Sequence, residues 1–252
     1  MCCVFFSFQC RNEALVLIAN RDEFLSRPTA PLAWWKDRPN VLAGKDLEQG
    51  GTWLGMNRSG KIAFLTNYRD PSRDKVKASS RGKIVLDFLD GPETAAKFLP
   101  RLISEASNYN DFNLVCGTST ELYYFSSVTL AAQPLSPGLY GLSNDQLDTP
   151  WPKVVRGKTA MAAILNTGEK IEASLFEVMR DNLPADDSEL PDTGVGLKWE
   201  RALSAIFIES PTYGTRSTSL VRISGKGQVC ISERTYQTRA QWETKQCSFE
   251  LG

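Results

Sequence analysis

Two apolar runs near the N-terminus constrain the fold more than any other feature of this 252-residue sequence. Residues 2–8 and 14–19 are almost entirely hydrophobic, and the short polar segment 9–13 separates them. Runs of this length without polar alternation are typical of strands that are covered on both faces. The sequence therefore predicts two strands with both faces buried.

The remaining pattern predicts helices between two strand-rich halves. Helical spacing of apolar residues occurs in residues 82–89, 94–103, 154–165 and 171–179. Further strands are predicted at residues 52–55, 62–66, 113–116, 121–125, 204–208, 217–223, 228–232 and 242–250. Long loops are predicted at residues 20–51 and 181–196. This order favours an α+β layered fold over alternating βαβ units, and we expect residues 1–252 to form a single domain.

The composition excludes several kinds of chemistry. The 29 Lys and Arg residues balance the 29 Asp and Glu residues, so no basic field is available to bind nucleic acid. The sequence has no histidine, which excludes Ser-His-Asp triads, Cys-His dyads and His-ligated zinc or haem. An enzyme with this sequence would need another general base. The α-amino group, with an ordinary pKa of about 7.7–8.0, titrates nearest to neutral pH.

The cysteines and the apolar runs limit the cell compartment. The six cysteines include no CxxC pair, so we expect free thiols and no metal site. The longest clean apolar run, residues 15–19, is far shorter than the roughly 20 residues of a membrane-spanning helix. We expect no transmembrane segment, no signal peptide and a cytoplasmic protein. In a eukaryote, mitochondria and the Golgi are further candidate compartments.

Cys2 is the candidate nucleophile. If Met1 is removed, Cys2 carries a thiol and a free α-amine in one residue, so the amine can accept the thiol proton without a histidine. The expected chemistry is acyl transfer to an amide or thioester carbonyl. The alternative is that Cys2 and Cys3 are small apolar residues that open an edge strand.

Polar residues at strand ends are the other candidates for a site. The segment after the second apolar run holds Asn20, Arg21, Asp22 and Glu23. An arginine at such a strand end can hold a carboxylate, a phosphate or a thiolate. Asn67 and Asn144 each follow an apolar run, and their side-chain amides could donate to an oxyanion. The remaining candidates lie in nearby turns: Trp53, Tyr68, Thr215 and Arg216. Taken singly, each motif is also explained by turn formation or core packing.

The order of these motifs resembles the NRDE family, also called the transport and Golgi organisation protein 2 family. The segments that carry the resemblance are Cys2 and residues 20–23, 50–55, 66–68, 140–144, 149–151 and 214–216. The resemblance covers essentially the whole chain. It implies the N-terminal nucleophile (Ntn) hydrolase fold, a four-layer αββα sandwich. It also implies a distant relation to the choloylglycine hydrolase and penicillin V acylase group of cysteine amidohydrolases.

That distant group implies roles for the first site residues. Cys2 would be the nucleophile, Arg21 would lie beside its thiolate and Asp22 would orient the α-amine. In the distant group two residues separate the arginine from the aspartate, whereas Arg21 and Asp22 are adjacent here. Asp22 and Glu23 are therefore alternatives for that role.

The same group implies an oxyanion site and a closed polar cluster. Asn67 and Asn144 would lie near the oxyanion, and Arg216 would complete the cluster. The ligand-binding candidates beside them are Asn20, Glu23, Trp53, Tyr68 and Thr215.

Three functional hypotheses follow from the resemblance. The first is a small-molecule-binding protein that traffics haem or acyl-CoA in lipid homeostasis and retains an Ntn-type site. The second is an active cysteine amidohydrolase or thioesterase, and the third is a Golgi organisation factor that acts through protein partners. No cofactor is expected to be required, with haem a candidate transported ligand. The sequence predicts no particular oligomeric state.

The two candidate ligands make different demands on the sequence. For acyl-CoA, we expect Arg21 and Arg216 to contact phosphates and Trp34, Trp35 and Trp53 to line an apolar slot. For haem, the absence of histidine leaves Cys, Met or Tyr as axial ligands.

Overall fold

The computed structural model describes residues 3–75 and 78–251, so the predicted nucleophile Cys2 lies outside the described residues. The strands are β1 (Cys3–Cys10), β2 (Glu13–Phe24), β3 (Thr29–Trp34), β4 (Val41–Asp46), β5 (Leu54–Asn57), β6 (Ile62–Asn67), β7 (Phe112–Gly117), β8 (Leu122–Ser126), β9 (Ala131–Pro134), β10 (Gly138–Leu142), β11 (Tyr213–Ser224), β12 (Gln228–Thr238) and β13 (Gln241–Glu250). The helices are α1 (Gly82–Asp90), α2 (Ala95–Glu105), α3 (Pro152–Thr167), α4 (Ile171–Val178) and α5 (Leu197–Leu203).

The strands form two antiparallel sheets. Sheet A has the order β10-β1-β2-β11-β12-β13, and sheet B runs in chain order from β3 to β9. The two apolar strands predicted from the sequence are neighbours near the middle of sheet A, where Cys3 pairs with Asn20. On its other side β2 pairs with β11, which places Asp22 opposite Thr215.

The packing of β1 shows why its sequence has no polar alternation. Val4, Phe6 and Phe8 point into the core between the two sheets. Cys3 and Phe5 point to the opposite face and pack with residues of α3 and α4. Both faces are therefore buried, as the unbroken apolar run requires.

The two sheets lie between two layers of helices. Residues of α1 and α2 cover the outer face of sheet B, and residues of α3 and α4 cover the outer face of sheet A. This four-layer αββα arrangement confirms the predicted fold class. No helix within residues 3–75 and 78–251 is long and apolar enough to cross a membrane.

Two element predictions are wrong. The segment 20–51, predicted as a loop, contains the end of β2 and the whole of β3 and β4. The prolines, glycines and charged residues in and between these strands hid them, although Val41, Leu42 and Ala43 of β4 are fully buried. The predicted strand 204–208 is irregular chain after α5; its apolar side chains are buried without joining a ladder, and Phe207 N donates to Asp181 O at 2.7 Å.

Candidate functional site

A polar cleft lies where β2 ends. Its volume is about 260 Å³, and its walls come from the end of β2, the β4–β5 connection, the end of β6 and the start of α1. Four residues predicted from the sequence line it: Arg21, Glu23, Trp53 and Asn67. Segments far apart in the chain therefore meet at one opening.

Arg21 is a buried cation in the wall of this cleft. Its side chain is 4% exposed, and its guanidinium carbon lies 4.4 Å from the ring centroid of Trp53. Nη2 is 3.8 Å from Oε2 of Glu23, an ion pair too long to be a hydrogen bond. Nη1 is buried and has no hydrogen-bond partner within residues 3–75 and 78–251.

Burial lowers the pKa of Arg21, and the nearby carboxylate of Glu23 opposes that shift. An arginine nevertheless stays protonated, because its ordinary pKa is above 12. The cleft wall therefore holds a desolvated positive charge with one donor nitrogen unused. Since buried donors are normally satisfied, this donor suits an anionic ligand that enters from the cleft.

Asp22 points away from Arg21 into a buried hydrogen-bond chain. Thr215 Oγ1 donates to Asp22 Oδ1 at 2.6 Å and accepts from Ile208 N at 2.9 Å. Both side chains are buried, and neither lines the cleft. The chain fixes the carboxylate of Asp22 on the sheet beside the paired residues Cys3 and Asn20.

Asn20, predicted as a ligand contact, is fully buried and does not line the cleft. Its Nδ2 donates to the carbonyl oxygens of Met179 and Ile206, both at 2.9 Å. Its Oδ1 accepts from Thr218 Oγ1 at 2.6 Å. The side chain holds the segment after α4 and the irregular segment after α5 against sheet A.

Asn67 and Asn144, the two residues predicted near an oxyanion, lie next to each other. Asn144 Nδ2 donates to the backbone oxygen of Asn67 at 2.9 Å, and its Oδ1 accepts from Arg69 Nη2 at 3.2 Å. A second cleft of about 200 Å³ adjoins this pair and is also lined by Tyr68, whose pKa is raised by burial and by Asp145. Asn67 lines both clefts, so they meet at this residue.

Arg216 does not line either of these two clefts. It lies at a register shift in β11, and its Nη1 donates to the backbone oxygens of Phe24 and Arg27 at 3.0 and 3.1 Å. Two other arginines line the cleft with Arg21: Arg81, and Arg27, whose Nη2 lies 2.8 Å from Oδ2 of Asp46. Sequence reasoning missed Arg27 because it lies in the turn between β2 and β3, beyond the motif at residues 20–23 and beside no apolar run.

The predicted apolar slot of three tryptophans does not form among the described residues. Only Trp53 lines the cleft. Trp34 packs against Phe249 with ring centroids 5.4 Å apart, and Trp35 is buried with its Nε1 donating to the backbone oxygen of Ala43 at 3.0 Å. The walls of the cleft are thus mainly polar.

Residues at the start of α1 complete the cleft and were not predicted as part of it. Ser79, Ser80, Arg81 and Gly82 form the wall that adjoins the β4–β5 connection, where Thr52 N donates to Gly82 O at 3.1 Å. The only signal for them in the sequence is that they precede a helix. Within the described ranges, no group of three or more Cys, Asp or Glu residues is arranged to hold a metal ion.

Comparison with known proteins supplies the family. The family model described as Transport and Golgi organisation 2 matches residues 1–238. The chain belongs to this family. It is 34% identical over 275 residues to the Transport and Golgi organization protein 2 homolog of Bos taurus, covering 100% of this chain and 99% of the relative. It is 32% identical, with the same coverage, to the homolog of Homo sapiens.

A solved structure supports the fold. The chain is similar to a single-substitution variant of conjugated bile acid hydrolase from Clostridium perfringens, with a TM-score of 0.50 and 10% sequence identity. The match covers 98% of this chain and 96% of that one. This likeness confirms the predicted Ntn-hydrolase type of fold, and at this identity it concerns the fold alone.

Proposed function

We propose that the protein binds an anionic small molecule in the cleft at Arg21, with an acyl-CoA preferred over haem. The observation that carries this proposal is Arg21 Nη1, a buried donor without a partner among the described residues, on a side chain that lines the cleft. An entering phosphate or carboxylate supplies the missing acceptor. It also offsets the desolvation that lowers the pKa of this guanidinium.

The size and lining of the cleft favour acyl-CoA over haem. A volume of about 260 Å³ is below the roughly 300–1,000 Å³ of pockets that enclose a whole drug-sized ligand. It suits one charged part of a larger molecule. Haem needs an apolar envelope and an axial ligand, and no Cys, Met or Tyr is among the described residues that line this cleft.

A second candidate function is that of a cysteine hydrolase for an amide or thioester. Its support is the buried carboxylate of Asp22, which Thr215 holds on the strand next to the start of β1. In this reaction the α-amine takes the thiol proton of Cys2, and the thiolate attacks the thioester carbonyl. The acyl group passes to sulfur, and CoA takes that proton from the ammonium group and leaves as its thiol. Water then releases the carboxylic acid. The side-chain amides of Asn67 or Asn144 would donate to the oxyanion.

The binding proposal is tested by calorimetric titration of the full chain with CoA. Arg21→Met removes the guanidinium and should weaken CoA binding by about 10–100-fold, since a hydrogen bond to a charged group contributes about 1.5–3 kcal/mol. Arg58→Met is the matched control, because the Arg58 guanidinium lies 3.9 Å from the ring centroid of Trp34 but outside the cleft. Equal binding by wild type and Arg21→Met, or tighter binding of haem than of CoA, contradicts the proposal.

The same titration with an acyl-CoA separates the two candidates. Release of free CoA by wild type, lost in Cys2→Ala while binding is retained, supports the hydrolase. Binding of the acyl-CoA without any release of free CoA supports the carrier function and contradicts the hydrolase.

A further inference from the structure

We infer that the start of α1 forms a phosphoryl-binding subsite of the cleft. The inference deepens the proposed function and rests on it, since both place the ligand beside Arg21. The subsite consists of Ser79, Ser80 and the first turn of α1, on the wall of the cleft formed by the start of that helix. Its ligand class is a phosphate ester or a diphosphate.

The first turn of α1 presents the positive end of a helix to the cleft. The backbone N–H groups at the start of a helix lack the acceptors that later turns have, and the helix dipole adds positive charge there. α1 has nine residues, and its N-cap residue Arg81 makes no side-chain capping hydrogen bond. Lys83 N and Ile84 N already donate to Ser80 O at 3.2 Å and to Arg81 O at 3.0 Å, so a ligand would meet the positive end of the helix dipole and not these two N–H groups. A helix start in this state is suited to a phosphoryl group.

Two glycines place this helix start at the cleft. A Cβ atom on Gly51 would lie 2.5 Å from the backbone carbon of Gly82, so the two chains approach more closely than side chains allow. Thr52 N donates to Gly82 O at 3.1 Å across the same contact. Trp53, which supports the Arg21 guanidinium, follows directly. The start of α1 and Arg21 therefore both lie in the wall of the same cleft.

Arg21 supplies the independent evidence for an anion at this position. Its side chain is more than nine-tenths buried, it lines the same cleft, and its Nη1 is without a partner in the part of the chain that the structure describes. The charged residues of the lining are Arg21, Arg27, Arg81, Glu23 and Asp46, three cations against two anions. Arg27 pairs with Asp46 and Glu23 lies 3.8 Å from Arg21, so the remaining positive charge is that of Arg81 on the α1 wall, where its Nη1 donates to Asp111 O at 3.0 Å.

The chemistry favours phosphate over a lone carboxylate. Serine hydroxyls, a helix N-terminus and a guanidinium surround the cleft from more than one side, and a tetrahedral phosphoryl group offers acceptor oxygens in several directions. A carboxylate offers two oxygens in one plane. The diphosphate of CoA belongs to the favoured class, as do inorganic pyrophosphate and an exposed phosphate of a lipid headgroup.

The test places a carboxylate at the subsite with Ser80→Asp. An acidic residue at the start of a helix stabilises it, so the variant should keep its melting temperature while repelling an anion. Thr94→Asp adds the same charge at the start of α2, on its N-cap residue, which is exposed and outside the cleft. The probes are inorganic pyrophosphate, CoA, acetate and phosphatidylcholine vesicles that contain phosphatidic acid.

We expect each of the two phosphate probes, pyrophosphate and CoA, to bind Thr94→Asp with the wild-type affinity. Each should bind Ser80→Asp at least tenfold more weakly than wild type. Acetate should bind every protein more weakly than pyrophosphate does. If wild type binds the vesicles that contain phosphatidic acid and Ser80→Asp does not, the phosphate that this subsite binds is that of a lipid headgroup. If Ser80→Asp binds both phosphate probes like wild type, the subsite is overturned, and the proposed function stands wherever Arg21→Met still weakens CoA. If pyrophosphate binds with this pattern but CoA does not, the subsite stands and the CoA proposal fails. If neither probe binds wild type, both are overturned.

Discussion

Glu233 is a second buried charge close to the Arg21 wall. It lies on β12 with 2% of its surface exposed. Its Oε1 accepts from Leu32 N at 2.7 Å and its Oε2 from Ser219 Oγ at 3.2 Å. Burial raises its pKa from 4.5 to about 6, although both hydrogen bonds and the charge of Arg21 act in the opposite direction. The protein therefore holds an acid that titrates just below neutral pH.

This raised pKa predicts a pH-dependent stability difference. Because the folded pKa is above the unfolded one, the acid favours folding below pH 4.5, and this contribution is lost as the pH rises through about 6. Glu233→Gln keeps an acceptor for Leu32 N and a donor for Ser219 but does not ionise. At neutral pH we expect its free energy of unfolding to exceed that of wild type by about 2 kcal/mol.

The measurement is urea unfolding of both proteins across the acidic range. The difference should disappear near pH 4, where the wild-type carboxyl is protonated in both states. A difference of the same size at pH 4 and pH 7, or a variant less stable than wild type at neutral pH, contradicts the assignment.

At the scale of elements, the contact between the β4–β5 connection and α1 controls the shape of the cleft. Gly51→Ala puts a Cβ atom 2.5 Å from the backbone carbon of Gly82, so one of the two segments must move. We expect a loss of about 1–3 kcal/mol in the free energy of unfolding. CoA binding should also weaken, because the helix start moves away from Arg21.

Gly82→Ala is the graded control for this contact. Its added Cβ atom would lie 3.1 Å from the backbone N and O of Thr52, a milder approach, and alanine in a helix gains up to about 1 kcal/mol over glycine. In thermal unfolding, wild type and Gly82→Ala should therefore both have a higher melting temperature than Gly51→Ala. The reverse order would show that this contact does not set the position of α1.

Elements with a regular apolar pattern could be predicted, and those without one could not. The first four helices, α1 to α4, were predicted close to their observed bounds because each presents an apolar stripe to a sheet. β3 and β4 were missed because each has only three or four apolar residues in a row and Pro31, Gly44 and a Pro- and Asp-rich connection interrupt the pattern. α5 was missed because it is short and buries only Glu200 completely, which pairs with Arg69 at 2.9 Å.

At the scale of the whole molecule, the order of the layers follows from which strands bury both faces. The composition of the site depends on contacts between residues that are far apart in the sequence. The unbroken apolar character of β1 already requires cover on both faces, which an αββα sandwich provides. The sequence pointed to Arg21, Trp53 and Asn67 through strand ends and a family resemblance. It could not show that Arg216 bonds to backbone carbonyls or that Ser80 lines the cleft, because these positions depend on a register shift and on a helix start 59 residues from Arg21.

The structure also offers a different place for a ligand. A cavity of about 600 Å³ lies against the outer face of sheet A and is lined by Val16, Leu139, Leu165 and Ile171, with Cys10 beside them. Its apolar walls suit a hydrocarbon chain better than a phosphate. Binding of CoA in this cavity, and not in the cleft at Arg21, would contradict the proposed function.

A crystal structure of the full chain with bound CoA tests the central claim most directly. The account predicts a phosphoryl oxygen within about 3.2 Å of Arg21 Nη1, with the diphosphate over the first turn of α1. CoA bound in the cavity beside Cys10, or in the cleft with its phosphates turned away from Arg21, would contradict it.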